Sequence, residues 1–302
     1  MTAPAIETHG LRKVYGHTVA LDALSLQVEP GEVFGFLGPN GAGKTTAVKL
    51  LLGLTRPTSG DGSVLGRPLG DRETRRRVGY LPELFRYQAW LTAREVLGLH
   101  ADLAGLAHAT RQAEIERVLA LTGLAARGDD RTGGFSKGMQ QRLGLAAALL
   151  GDPSLVVLDE PTSALDPVGR DDVRTIIREA RERGSAVLLN SHLLGEVERL
   201  CDRVAIVHHG RVVASGSLGD LLGESAVRLR VTGLPADLAP LAAFGSLLDE
   251  DGWLAIRPLD PSRIPDLVAA VVALGGRVHA VDPGRRSLED VFLDLVREDA
   301  AP

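Results

Sequence analysis

The stretch GEVFGFLGPNGAGKTTAVKLLLGL, Gly31 to Leu54, admits few folds. Its apolar run VFGFL reads as a strand buried on both faces, and the glycine-rich turn after it opens into a helical pattern that stops at Gly53 and Pro57. Within the turn, GPNGAGKT (Gly38 to Thr45) fits G-x-x-x-x-G-K-[ST], which a chain of this composition matches by chance about once in two hundred. The glycines let backbone N–H groups turn inward around a β-phosphate. Lys44 then reaches the β and γ oxygens, and the Thr45 hydroxyl is placed for Mg²⁺. The candidate cradle is Gly38, Pro39, Asn40, Gly41, Ala42, Gly43, Lys44, Thr45 and Thr46. A glycine turn heading an ordinary helix is the plainer alternative, and the strand–loop–helix order argues against it.

Two more apolar runs, SLVVLDE (Ser154 to Glu160) and SAVLLNS (Ser185 to Ser191), flank the helical pattern VGRDDVRTIIREARERG. Strand, helix and strand in that order predict a parallel sheet with its chemistry at the strand ends. Asp159 sits at such an end, where a metal bound by one hydroxyl and phosphates needs a carboxylate. Glu160 follows and points elsewhere, so it can face an attacking water as general base. Taken alone, two adjacent acids are a solvated turn; after an apolar strand and beside a phosphate loop they read as a site.

A second anion site is also predicted. FSKGMQQRLGLAAALL (Phe135 to Leu150) begins a helix with a serine cap and a bare glycine, leaving N–H groups at its positive end. IETHGLRKVY and LSLQVEPGE alternate apolar and polar residues, as an antiparallel flank does, and Leu91 to Gln141 reads as an inserted, mostly helical subdomain. The expected domains are 1–221, with the helical part at about 91–150, and 222–302, whose strand, helix, hairpin, helix, strand order fits a split βαββαβ unit closed by an amphipathic helix.

Bulk properties exclude several classes. Net charge is −5; residues 1–219 hold 26 basic and 25 acidic side chains and residues 220–302 hold 8 and 14, so no basic face for nucleic acid is expected. Cys201 is the single cysteine, which rules out an internal disulfide. No apolar run approaches the roughly 18–20 residues that span a bilayer, so a membrane role requires a separate chain.

GPNGAGKT, FSKGM, LVVLDEP, the SALD loop (Ser163 to Asp166) and His192 in NSH occur in the order found in the nucleotide-binding subunits of ABC transporters, which the chain resembles from Ile6 to about Gly219. The resemblance implies an α/β P-loop NTPase core with an antiparallel flank, an inserted helical subdomain and a small C-terminal α+β domain. It implies ATP and Mg²⁺ as ligands, Glu160, His192 and Lys44 as catalytic residues, and adenine stacking on Tyr15, a residue that alone would read as strand-end packing. Ser136 and the Gly138 N–H would close over the γ-phosphate of a second copy or a homologous subunit, in a head-to-tail dimer. A separate transmembrane permease and a place at the cytoplasmic face of the membrane are implied as well.

The chain departs from the usual family pattern at Phe135 and Lys137, and at Glu83, where a glutamine normally contacts Mg²⁺ and the water. These variants, and the ending SLEDVFLDL, are similar to the drug-resistance and ABC-2-type exporters. An ABC-type ATPase of DNA repair or translation is the alternative, though its usual long coiled coil or second cassette is missing. Tyr80, Phe85, Tyr87 and Trp90 are expected either to line a groove for a short helix of the membrane partner or to pack the inserted subdomain. Arg75 to Arg77 read as a solvated helix face, and His208 and His209 as solvated turn residues.

Overall fold

Residues 3–84, 86–163, 165–223, 226–250, 252–283 and 287–299 are described by the computed structural model. Phe85, and Ala164 of the SALD loop, lie outside the described residues. The chain divides into two units, Met1–Gly216 and Ser217–Pro302.

The first unit opens with β1 (Ile6–Tyr15) and β2 (Thr18–Val28), whose alternating burial reflects one face on the core and one in solvent. Next come β3 (Val33–Leu37), α1 (Lys44–Leu51), β4 (Ser59–Val64), β5 (Arg67–Pro68), α2 (Arg72–Arg75) and β6 (Val78–Leu81). The helical insertion is α3 (Ala93–Ala104), α4 (His108–Leu121) and α5 (Lys137–Ala148). The chain then returns through β7 (Leu155–Asp159), α6 (Pro167–Glu182), β8 (Ala186–Asn190), α7 (Leu194–Leu200), β9 (Arg203–His208) and β10 (Arg211–Ser217).

Two sheets result, ordered β2-β1-β4-β5 and β10-β9-β3-β8-β7-β6. The first is antiparallel, and β9, β3, β8, β7 and β6 pair in parallel, so their C-terminal ends gather along one edge. Every residue of β3, β7 and β8 is buried, as uninterrupted apolar strands between two layers must be. Helix α1 is wedged between the sheets, its Val48 and Leu50 packed with Leu11 and Leu24 from one and Phe34 and Phe36 from the other.

Helix boundaries follow local chemistry. Thr92 and Glu95 form a capping box at α3, and Asp166 with Pro167 starts α6. The C-terminal end of α5 presses on β6 at Gly79, where an added Cβ would lie 1.7 Å from the Ala148 carbonyl oxygen. Only glycine permits that approach.

His208 departs from its expected solvated place. It ends β9, an inner strand flanked by β3 and β10, and is buried there, while His209 turns out at φ +46 and is exposed. Arg75, Arg76 and Arg77 are exposed as expected, although the helix itself ends at Arg75. Tyr80 is half-buried against the core cluster around α1 and also lines a small, mostly apolar groove with Leu51, Leu54 and Pro68.

The second unit contains α8 (Leu218–Leu222), β11 (Val227–Thr232), β12 (Ser246–Glu250), β13 (Trp253–Arg257), α9 (Ile264–Ala273), β14 (Arg277–Asp282) and α10 (Leu288–Asp299). Its antiparallel sheet runs β12-β13-β11-β14, the order of a split βαββαβ unit. The first expected helix is a 3₁₀ segment, Ala239–Phe244, because Pro240 and Gly245 leave too few residues for two α-turns. Val227, Leu229, Ile256, Leu267 and Val271 form a separate core.

Candidate nucleotide site

The loop between β3 and α1 is shaped by what it touches. A Cβ at Gly38 would meet the Val207 carbonyl oxygen of β9 at 2.3 Å, and one at Gly43 (φ +102) would meet that of Ala20 on β2 at 2.4 Å. The loop is therefore clasped between the two sheets at positions only glycine can fill. Gly43 caps α1 without a side chain, so the first-turn N–H groups stay available to an anion. Lys44 is buried and donates to the carbonyls of Gly38 (2.6 Å) and Pro39 (3.1 Å). Burial lowers the pKa of its ammonium, while Glu160, Asp159 and Glu83 oppose that shift. Its acceptors are neutral carbonyls, weaker partners than a phosphate oxygen.

Parallel register brings the acids to the same edge. Asp159, the last residue of β7, pairs with Asn190, the last of β8, and the Asn190 amide donates to Asp159 Oδ1. Burial pushes the Asp159 carboxyl pKa up and that hydrogen bond pulls it back. Glu160 then leaves the strand at φ +53, which turns its side chain away from the strand's alternation. Its N–H donates to the Asn190 carbonyl (2.8 Å), and Oε1 accepts from the His192 N–H (3.0 Å) and lies 2.7 Å from His192 Nδ1. Gln141, buried in α5, donates to the Pro161 carbonyl (2.9 Å) and ties that helix to this turn. Glu160 Oε2 and Asn190 Oδ1 are buried and have no hydrogen-bond partner among the described residues.

These groups enclose a cavity of about 500 Å³. Its wall includes Asn40, Gly41, Gly43, Lys44, Thr45, Thr46, Glu83, Asp159, Glu160 and His192. Gly38, Pro39 and Ala42 belong to the loop without lining the cavity. Tyr15 is half-exposed outside the wall, with Lys13 Nζ 4.9 Å from its ring centroid, but its hairpin partner Thr18 is in the wall. Ser136 caps its own helix by accepting from the Met139 N–H (3.2 Å), and neither it nor Gly138 lines the cavity. Lys137 is exposed.

Thr18, Val19, Ala20 and Asn190 complete the wall and were not expected. Asn190 had a signal: a polar residue closes the apolar run AVLLN at the place where Asp159 closes LVVLD. For Thr18 to Ala20 no sequence signal is apparent, since only folding of the flank brings that hairpin over the loop.

Mg²⁺ fits a site built this way. Among the described residues no group of three or more His, Cys, Asp and Glu could hold a metal alone. Thr45 and Asp159 share the wall, and a cation that keeps several waters and takes phosphate oxygens needs no more protein donors.

The ABC transporter family model matches residues 21–163. An uncharacterized ABC transporter ATP-binding protein of Nostoc sp. is 42% identical over 98% of this chain and 91% of its own length. The chain belongs to the ATP-binding subunits of ABC transporters. The bacitracin transport ATP-binding protein of Bacillus licheniformis is 42% identical to this ABC subunit over 69% of the chain and 68% of its own length. A Nod factor export ATP-binding protein of Burkholderia pseudomallei is 42% identical over 98% of both. Among solved structures, an ATP-binding subunit of an ABC transporter is 34% identical with a TM-score of 0.67, over 72% of this chain and 91% of its own. A dimeric ATP-binding cassette in a post-hydrolysis state with ADP and Pi shares the fold at 23% identity and a TM-score of 0.66, over 71% of this chain and 99% of its own. As an ABC ATPase the subunit binds and hydrolyses ATP in the service of transport, which disfavours the DNA-repair or translation alternative. No helix of the described residues is long and apolar enough to cross a membrane.

Proposed function

We propose that this subunit hydrolyses Mg²⁺-bound ATP as half of a head-to-tail dimer and thereby drives a separate membrane permease in the direction of export. The observation that carries the reading is the division of parts within one chain. Lys44, Thr45, Asp159, Glu160 and His192 share one cavity, whereas Ser136 and Gly138 line none of it. The dimeric cassette of the same fold supports the pairing, and the relative named for Nod factor export supports the direction.

In this reading the loop amides of Gly38 to Thr46 and the Lys44 ammonium hold the β- and γ-phosphates. Thr45 and Asp159 would hold Mg²⁺, which supplies charge neutralisation across those phosphates. Glu83, exposed on the wall, adds a third carboxylate to the metal side of the cavity. Glu160 takes a proton from the attacking water, and His192, paired with it, contacts the γ-phosphate. The adenine lies toward the β1–β2 hairpin and stacks on Tyr15. Ser136 and Gly138 close over the neighbour's γ-phosphate, and loss of that phosphate lets the halves part.

In this reading the permease meets the exposed apolar side chains of Leu84 and Trp90, 87% and 70% exposed, and the subunit sits at the cytoplasmic face of the membrane. The Glu160→Gln variant tests the core of the reading. It is expected to bind ATP, sediment as a dimer with ATP, and turn over roughly 10²–10⁴-fold more slowly; undiminished turnover would overturn the assignment of the base.

A further inference from the structure

Two neighbouring strand–loop–helix units meet beside the nucleotide cavity. Strand β7 leads through Glu160 into α6, and β8 leads through His192 into α7. The units touch first at the strand ends, where Glu160 Oε1 accepts from the His192 N–H (3.0 Å) and lies 2.7 Å from Nδ1. They touch again between the helices. Arg174 of α6 donates through Nη1 to both carboxylate oxygens of Glu196, at 2.9 and 2.7 Å, in the first turn of α7. The two side chains are only 12% and 10% exposed, and Asp171 Oδ1 holds the other terminal nitrogen of Arg174 at 2.8 Å. The Glu196 N–H donates to the Leu193 carbonyl (2.9 Å), so the ion pair is tied through the main chain to the residue that follows His192.

His192 needs such a hold. Its side chain is 57% exposed, so burial does not fix it, and the two contacts given above both run to Glu160. Helix α7 rests on β3, where a Cβ at Gly35 would lie 2.9 Å from Val197 and 3.1 Å from Cys201. Apolar contact of that kind is non-directional: it keeps a helix on a sheet without fixing its slide along its own axis. We propose that Arg174 and Glu196 are positioning residues for hydrolysis, whose ion pair fixes α7 along α6 and thereby holds His192 against Glu160 and toward the γ-phosphate. The inference rests on the ATPase reading above, in which His192 contacts that phosphate. Neither Arg174 nor Glu196 lines the nucleotide cavity, so the pair acts through the placement of α7 and not on ATP itself. In a buried pair desolvation offsets much of the attraction, and what remains is a restricted set of arrangements for two charged groups.

Glu196→Ala keeps a good helix former in α7 and leaves Arg174 its contact with Asp171. Turnover is expected to fall about fivefold or more while KM for ATP stays within about twofold. In a His192→Ala background the same substitution should change turnover by less than about twofold, because its effect passes through a side chain no longer present. A merely structural loss would cost the same factor in both backgrounds. Hydrogen exchange supplies a readout independent of turnover: the His192 amide should exchange about fivefold or more faster in Glu196→Ala, and the Leu188 amide within β8 at the unaltered rate. Arg174→Lys, which keeps the charge without the guanidinium's two-nitrogen grip, gives the same comparisons if thermal melting shows the alanine variant unfolded. Equal losses in both backgrounds, unchanged exchange at His192, or unchanged turnover in a folded variant overturns the positioning role. The ATPase reading fails separately, if the unaltered chain does not turn over ATP or His192→Ala leaves turnover intact.

Discussion

Asp159 is a carboxylate held where carboxylates are uncomfortable. Burial raises its pKa, so its charged form is disfavoured in the folded chain: the folded state is favoured while the group is protonated, at acid pH, and that contribution is lost as pH rises through the raised value. At neutral pH the nucleotide-free chain carries this cost. Asp159→Asn keeps an oxygen for the Asn190 amide and removes the charge, so it is expected to raise the melting temperature of the nucleotide-free chain, by roughly 2–4 °C for each kcal/mol relieved, and to abolish Mg²⁺-dependent turnover. Calorimetry with a parallel phosphate-release assay checks both. Gly38→Ala acts in the opposite sense, because its Cβ would lie 2.3 Å from the Val207 carbonyl oxygen. A loss of about 1–3 kcal/mol in stability and weaker ATP binding are expected, measurable by urea unfolding and nucleotide titration. At this scale the sequence was most legible where backbone pattern and chemistry coincide, as in GPNGAGKT and LVVLDE. It was least legible where function depends on which strand end faces which: Asn190 matters because β7 and β8 pair in register, a long-range fact that no local spacing records.

Among the elements, α5 joins the most distant parts of the chain's chemistry. Its N-terminus carries Ser136 and Gly138, its middle carries Gln141 to the Pro161 carbonyl, and its last turn rests on β6 at Gly79. Gly79→Ala is expected to push the helix from the sheet and cost about 1–3 kcal/mol or more, read as a lower urea midpoint. Gln141→Leu leaves the Pro161 carbonyl without its donor, and its expected cost of about 1–3 kcal/mol is read in the same assay. The helix itself was evident from its serine cap and small-residue pattern. The seat at Gly79 was not, because the glycine in VGYL looks like any strand glycine until the carbonyl that requires it is in place. The 3₁₀ segment at Ala239–Phe244 shows the converse: its apolar composition suggested a helix, and the flanking proline and glycine limited it.

For the whole molecule, the two units have separate cores, so each should respond to its own mutations. Leu229→Ala, deep in the second core, is expected to lower that unit's unfolding transition by about 2–5 kcal/mol while leaving nucleotide affinity unchanged, seen as a shift in one of two calorimetric transitions. That there are two parts was readable from the change of pattern near GRVVASGSLGDLL, but the expected break at 221/222 falls late: the second unit begins at Ser217 and includes α8, a short helix whose pattern alone does not show which unit it joins. In the head-to-tail dimer proposed above, the placement of Ser136 and Gly138 outside the cavity carries a kinetic consequence. A catalyst that must borrow its closing surface from a twin has a specific activity that is not constant: on dilution below the pairing affinity the rate per chain falls, and total rate approaches the square of chain concentration. Tethering two copies, or mounting both on one permease, removes that dependence by raising the effective concentration of one for the other, and the membrane then sets how fast ATP is spent.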